Sequence, residues 1–339
     1  DFEVWKKRDL SDFELDYLFL DGSHFRMHAD ARAEPVLVAY GVGPDGKPVL
    51  LHVAAGGTES TDAWADFCED MVKRGLRSPL FVASDGNQGL INAVETTWGR
   101  ALRQRCLIHR SRNVIAKVPV EHQDEVKLAF WECFDDIDAD PGQDAVDEAK
   151  RRSGRFATRF RGQFPSAVDA MEVDTAALCS HLRLPREHWR RVRHTNLIER
   201  TFGETRRRVK VIGRLPGENT CLTLVWAVLE RASAGWNGVT ATPVTAAYLT
   251  RLRADLYDPP SPDLTGNGDE RTGELTDTAE TTNGVGETSD VDEATQARYY
   301  QQAFELACSQ QTVEGLYIFH IWDEPDLLGW QSGLYYADH

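Results

Sequence analysis

The stretch DYLFLDGSHFRMH, residues 16–28, decides how the chain is read. It is rich in strand formers, and its apolar run YLFL ends in Asp21 followed by Gly22. A second stretch, PLFVASDG (79–86), repeats the pattern: a short buried strand that ends in Asp85 and then Gly86. An acid at the end of a buried strand, with a glycine giving the backbone room, is a recurrent way to aim a carboxylate into the crevice at a strand edge. Each acid also has a plainer reading. Asp-Gly is a common turn, and Asp85 is placed to cap the helix after it.

Working outward, PVLVAYGV (35–42) and PVLLHVAAGG (48–57) are apolar runs joined by GPDGK, which predicts a β-hairpin turning at Asp45-Gly46. STDAWADFCEDMVKRGL (60–76) carries Trp64, Phe67, Met71 and Val72 at helical spacing, with Ser60 or Thr61 as N-cap. GLINAVETTWG (89–99) is helical, and LRQRCLIHR (102–110) is taken as another short strand. Helical patterning then dominates to Leu182, and a further helix is predicted over ENTCLTLVWAVLERAS (218–233). The order is strand, hairpin, helix, strand, helix, strand, then helices. That predicts an α/β fold with an all-helical stretch inserted late.

The 339 residues allow two domains or one large one, and 41% hydrophobic content allows a sizeable core. No stretch reaches the roughly 20 apolar residues of a membrane helix, and no secretory signal is visible. The chain begins at Asp1, so a fragment or a processed chain is expected. Six scattered cysteines do not suggest a disulfide framework and fit a reducing cytosol. The net charge of −16 is carried entirely by residues 254–339, which hold 18 acidic and two basic residues; the rest is neutral. Within the neutral part, residues 183–214 hold 11 basic and three acidic residues, a segment that would attract polyanions. Residues 254–293, dominated by Pro, Gly, Thr and acids, read as an acidic disordered linker. From 294 onward a helix and the apolar run GLYIFHIW are expected.

The basic segment contains HTNLIERTFGETRRRVKVIGR (194–214). Ile198, Phe202, Thr205, Val209 and Ile212 follow one another at steps of three and four, one face of a helix that should pack on the sheet. Glu199 lies about 100° round from Ile198, at the border of that face, where it can reach the strand ends. Arg200, Arg206, Arg207, Arg208 and Lys210 would face a phosphate backbone. The plainer reading is a solvated helix with a few ion pairs. Three hard carboxylates, Asp21, Asp85 and Glu199, suit two Mg²⁺ or Mn²⁺ ions. Such a pair of ions, about 3.5–4 Å apart, serves phosphoryl transfer.

YLFLDGSHFRM (17–27), VASDGNQGLINAVETTWGRALRQRCLIHRSRNVIAKV (82–118) and TNLIERTFGETRRRVKVIGRLP (195–216) together resemble three blocks of the mutator-type transposases of bacterial insertion sequences. The resemblance covers about residues 1–250, within an expected catalytic domain of residues 1–253. It implies a ribonuclease-H-like mixed sheet flanked by helices, with an all-α insertion at about 120–190 before the last catalytic helix. It further implies a DDE triad of Asp21, Asp85 and Glu199 holding two Mg²⁺ (or Mn²⁺) ions. The implied activity is metal-dependent cleavage and strand transfer of DNA at insertion-sequence ends. The family's Cys-x2-His pair is matched by Cys106 and His109 as active-site support, His109 touching DNA or orienting a catalytic acid. One Cys and one His are too few for a zinc site, and a strand-end pair with a structural hydrogen bond is the plainer reading.

Arg110, Arg112, Arg200, Arg206, Arg207, Arg208 and Lys210 are the expected DNA-binding cations, and Trp189 is either a stacking platform for a splayed base or a core residue of the insertion. The expected partners are double-stranded DNA, as element ends and target, and further copies of the chain on DNA. No membrane is expected; the location would be cytoplasmic and nucleoid-associated in a bacterium. Two departures qualify the resemblance. The N-terminal helical segment with which such transposases bind terminal repeats is not expected here. Residues 294–339 instead resemble the end of a glycoside-hydrolase TIM barrel. That tail, with Asp323 and Glu324, is too short for a barrel of about 250 residues and reads as a remnant of fusion. Rival readings are a truncated or fused derivative that only binds DNA, and a related ribonuclease-H-like nuclease.

Overall fold

The computed structural model describes residues 1–28, 32–56, 61–209 and 217–258. The expected side-chain roles of Arg208 and Lys210, and everything proposed from residue 259 onward, lie outside the described residues.

Five strands form one mixed sheet. They are β1 (Tyr17–Phe25), β2 (Glu34–Val42), β3 (Pro48–Ala55), β4 (Phe81–Ser84) and β5 (Leu102–Arg105), in the order β3-β2-β1-β4-β5. β1, β2 and β3 pair antiparallel, while β4 and β5 run parallel to β1. The hairpin turns at Asp45-Gly46, where Gly46 adopts φ +73° and the Asp45 carboxylate accepts from the Lys47 amide. The parallel crossovers are made by α2 (Thr61–Lys73) and α3 (Gln88–Thr97), preceded by the short α1 (Phe2–Trp5).

Side chains alternate across the sheet with period two, so each strand feeds two cores. Leu18, Leu20, Leu37, Leu51 and Val82 pack against Trp64, Phe67 and Met71 of α2 and Leu90 and Val94 of α3. Val72 is exposed, because it lies one helical step off the Trp64–Phe67–Met71 stripe. Tyr17, Phe19, Phe25, Val38, Tyr40 and Phe81 fill the opposite core. The result is helices on both faces of a mixed sheet, the ribonuclease-H-like arrangement that the resemblance implies.

That second face is covered by helices that follow β5. They are α4 (Leu107–Ile115), α5 (Gln123–Glu132), α6 (Gln143–Phe160), α7 (Pro165–Glu172), α8 (Thr175–Leu178), α9 (Trp189–Val192), α10 (Asn196–Val209), α11 (Glu218–Ser233) and α12 (Pro243–Tyr257). All regular structure described between β5 and α10 is helical. Strand β5 is shorter than the stretch LRQRCLIHR predicts: it stops at Arg105, and Cys106 is the N-cap position of α4. Helix α12 runs four residues past the expected linker boundary at 253. Its end is pinned because the Tyr257 hydroxyl donates to the Pro79 carbonyl at 2.8 Å and lies 2.7 Å from the Ser78 hydroxyl.

Polar clamps fix the inserted helices to the sheet. Arg103 of β5 grips Asp174 through two parallel bonds of 2.7 and 2.9 Å. The buried Gln104 amide donates to the Leu178 carbonyl and accepts from the His181 amide. Tyr17 of β1 meets His188 at 2.6 Å, and the same imidazole contacts the Thr240 carbonyl at 2.8 Å, so one ring joins sheet, insertion and the approach to α12. The five described cysteines, Cys68, Cys106, Cys133, Cys179 and Cys221, are free and buried. No described helix is long and apolar enough to cross a membrane.

Candidate active site

The two aspartates are brought together by strand register. β1 and β4 pair Tyr17 with Phe81, Leu18 with Val82 and Phe19 with Ala83. At that constant offset Asp21 stands opposite Asp85, one residue past the end of β4, on strands about 4.8 Å apart. Asp21 shares its face of β1 with Tyr17, Phe19, Ser23 and Phe25, the face that α10 covers.

Asp21 is buried. One carboxylate oxygen accepts from the Gly22 amide at 2.9 Å, and the other, Oδ2, is buried with no hydrogen-bond partner. Burial pushes its carboxyl up to about 7; His109 opposes the rise, and the nearby negative charges of Asp85 and Glu199 add to it. Asp85 is half-buried, and its Oδ1 accepts from the Asn87 amide at 2.9 Å. It does not cap α3. Asn87 does, accepting from the Gly89 and Leu90 amides at 2.8 and 3.2 Å, so the capping reading of Asp85 gives way, while its bond to the Asn87 amide is that of an Asp-Gly turn. Gly86 leaves room for Arg105: a Cβ there would meet its guanidinium, which is buried beside Asp85 and would have to shift. No pattern around residue 105 singles out Arg105 beforehand.

Glu199 arrives on α10. The first three members of the stripe behave as predicted: Ile198, Phe202 and Thr205 are buried, and Phe202 meets Phe25 of β1 with ring centroids 6.0 Å apart, while the Val209 side chain and Ile212 lie outside the described residues. One turn further on, Arg206 donates to the Ser23 hydroxyl, two residues from Asp21 on the same strand face. Ser23 is a second contact that sequence reasoning passed over, although strand alternation places it beside Asp21. Glu199 is 28% exposed; Arg112 Nη1 donates to its Oε1 at 2.5 Å, and its Oε2 is buried without a partner.

Cys106 and His109 lie at the start of α4, between the aspartates and α10. The Thr195 amide donates to Cys106 Sγ at 3.4 Å, and the Leu107 amide donates to the Arg193 carbonyl at 3.0 Å. A hydrogen bond with Cys106 raises His109 to about 9 against the effect of burial, with Asp21 and Asp85 adding to the rise. Burial opposes ionisation of the Cys106 thiol, yet His109 and the amides of His109 and Thr195 hold it below its usual range. The pair has the structural hydrogen bond of the plainer reading, which ties the end of β5 to the residue before α10, and it sets His109 beside the aspartates.

Two residues expected to touch DNA are committed elsewhere. Arg110 is buried, its guanidinium donating to the carbonyls of Ala170 and Val173 at the end of α7, so it is a clamp inside the insertion. Trp189 is buried too: its Nε1 donates to the Leu184 carbonyl at 2.7 Å, and the Arg186 guanidinium lies 5.0 Å from its ring centroid. Of the two readings of Trp189, the core residue is the one the structure has. Arg112, Arg200, Arg206 and Arg207 are exposed, and Arg207 pairs with Glu204 at 2.5 Å along the helix. Arg200 borders a cleft with Phe19, Tyr40, His194, Asn196 and Asn237.

The oxygens that could face a divalent cation are carboxylate oxygens, two of them buried and unpartnered, a chemistry that would suit Mg²⁺ or Mn²⁺. Among the described residues, no group of three or more His, Cys, Asp and Glu is close enough together to hold an ion at once.

Comparison with known proteins agrees with this architecture. The family described as "Transposase, Mutator family" matches residues 1–238. The chain is 32% identical over 240 residues to the transposase for insertion sequence element IS6120 of Mycolicibacterium smegmatis, covering 70% of this chain and 72% of that one. It is 30% identical over 207 residues to the IST2 transposase of Acidithiobacillus ferrooxidans, covering 61% and 68%. It is 25% identical over 236 residues to the IS256 transposase of Staphylococcus aureus transposon Tn4001, covering 68% and 58%. A sheet that sets two aspartates side by side and a glutamate helix docked over them are thus found in a chain that belongs to the Mutator family of transposases.

Proposed function

We propose that the chain cleaves DNA at the ends of an insertion sequence and transfers the freed strand to target DNA, with Asp21, Asp85 and Glu199 as the acids of the reaction. The observation that carries this reading is the register that sets Asp21 opposite Asp85, with a buried, unpartnered oxygen on Asp21 and another on Glu199. Those oxygens would hold Mg²⁺ or Mn²⁺. Bound as a pair, such ions activate the attacking oxygen and stabilise the leaving one.

The chain's own residues supply the rest. Asp21, Asp85 and Glu199 would hold the cations, and the basic side chains around them would meet the phosphodiester. In the first step water loses a proton and attacks phosphorus, and the P–O bond to the 3′ oxygen breaks, leaving a 3′-hydroxyl. In the second, that hydroxyl attacks a target phosphodiester, forming a new P–O bond and releasing the target's 3′ oxygen, which takes up a proton. Arg200 and Arg207 are exposed on α10, and Arg206, exposed too, reaches Ser23 beside Asp21; these are the side chains where phosphates would be positioned. His109, raised to about 9 chiefly by its contact with Cys106, stands beside the aspartates, which add to that rise. DNA is the partner, and further copies of the chain would assemble on it.

The test is cleavage of a duplex carrying the ends of the cognate element. Asp21→Asn, Asp85→Asn and Glu199→Gln should each lower Mg²⁺-dependent cleavage by about 10³-fold or more, with non-specific DNA binding changed by less than about threefold. Cleavage retained by any one variant removes that residue from the set.

A further inference from the structure

The helix that brings His109 to the aspartates carries Arg112 one turn later, and Arg112 reaches 87 residues along the chain to Glu199. The contact is short, 2.5 Å, yet more than half of the Arg112 side chain is exposed. Glu199 is thus held in a divided state. Its Oε1 is occupied by a guanidinium, while Oε2 is buried with nothing to bind. In this arrangement the acids do not form a group ready to hold an ion.

We infer that Arg112 is an exchange residue: in the free protein it occupies the Glu199 carboxylate, and a DNA phosphate entering the site draws it away and releases Glu199 to a divalent cation. This rests on the reading of Glu199 as a metal-holding acid. Three pieces of chemistry support it. A guanidinium fork matches a phosphate as well as it matches a carboxylate, so the exchange costs no geometry. A half-exposed ion pair is weak enough to yield to a phosphate. A cation left beside Glu199 repels an incoming divalent ion, so its departure raises affinity at that carboxylate. DNA and metal then bind with positive coupling, and by linkage each strengthens the other by the same factor. Arg112 is a positioning residue in this scheme, acting through Glu199 and not on the reacting atoms.

The test measures Mn²⁺ binding to the full chain by electron paramagnetic resonance, with and without a short duplex of arbitrary sequence. Wild type should bind Mn²⁺ weakly alone and about 5- to 50-fold more tightly with the duplex. Arg112→Ala should tighten Mn²⁺ binding by the free protein about fivefold or more and shrink the enhancement by DNA toward unity. Arg112→Lys, a point charge without the fork, should fall between the two. Arg112 is exposed, so an unchanged thermal midpoint is expected and confirms that the fold is intact. If Arg112→Ala leaves Mn²⁺ binding by the free protein unchanged or weakens it, while Glu199→Gln weakens binding, then Arg112 is a structural clamp and the inference is overturned. If Glu199→Gln changes nothing in either condition, the metal-site reading beneath it has failed instead.

Discussion

The Thr195 amide donates to the Cys106 thiol at 3.4 Å, joining the N-cap residue of α4 to the residue before α10. The contact spans 89 residues of chain and ties the lead-in to the helix that carries Glu199 to the end of β5. Cys106→Ser keeps a small acceptor there, whereas Cys106→Val removes it and leaves a buried amide unpaired, at a cost of about 1–3 kcal/mol. Cleavage should therefore fall by about tenfold or more in the valine variant and less in the serine variant. Hydrogen exchange at the start of α10 should quicken in the same order. Equal activity in both variants would mean that the contact does not position Glu199.

Arg110 and Trp189 should behave as parts of the insertion's core. Trp189→Ala is expected to cost about 3–5 kcal/mol through the cavity it leaves. Arg110→Met strands two carbonyls, those of Ala170 and Val173, and should cost about 2–4 kcal/mol. Urea unfolding gives these values directly. DNA affinity of the folded protein should change by less than about threefold, since neither group faces solvent. A large loss of affinity at unchanged stability would return either residue to the DNA-binding set.

Asp21 predicts a stability change of definite sign. Its folded-state carboxyl titrates at about 7 against 3.8 unfolded, so the folded protein loses stability as pH rises through that window. In metal-free buffer at pH 8, Asp21→Asn should therefore raise the unfolding free energy, by roughly 2–4 kcal/mol. The gain should vanish near pH 4. A variant less stable than wild type at pH 8 would show that the charged form is well compensated, through His109.

Buried histidines set the acid limit. Burial is the main cause that lowers His52 and His181 to about 3 and His194 to about 4, from 6.5. A histidine held neutral in the fold binds fewer protons than the open chain, so stability is present above about 6.5 and falls as pH drops toward 3–4. His181→Gln should flatten that acid slope in urea titrations between pH 4 and 6.5, even if the variant is less stable at pH 7.5. An unchanged slope would place the acid sensitivity elsewhere.

Much of the architecture was legible because period-two and period-3.6 patterns are local. The strand-then-Asp-Gly stretches, the Asp45-Gly46 hairpin and the Ile198–Phe202–Thr205 stripe each announce their own element. The strand end at Cys106 was not legible, because LRQRCLIHR is apolar enough for either a strand or the helix start it partly becomes. Nor were the partners of the arginines. Local charge placed Arg110, Arg112 and Arg206 in one basic set, and only the fold separates them: Arg110 goes to backbone carbonyls, Arg112 to Glu199 and Arg206 to Ser23. Trp189 lay open between two readings for the same reason, since burial depends on helices far along the chain.

The bond from the Leu107 amide to the Arg193 carbonyl makes the inserted helices a closed excursion, leaving and returning at a single point. Closing a longer detour costs only logarithmically more chain entropy. An insert of different length or content can then be spliced in at that neck without moving the glutamate that follows it. The separation in sequence between the second and third acids is thus a free variable, whereas the pairing of the first two is locked by the ladder. A lineage could exchange those helices wholesale and leave the acids where they were.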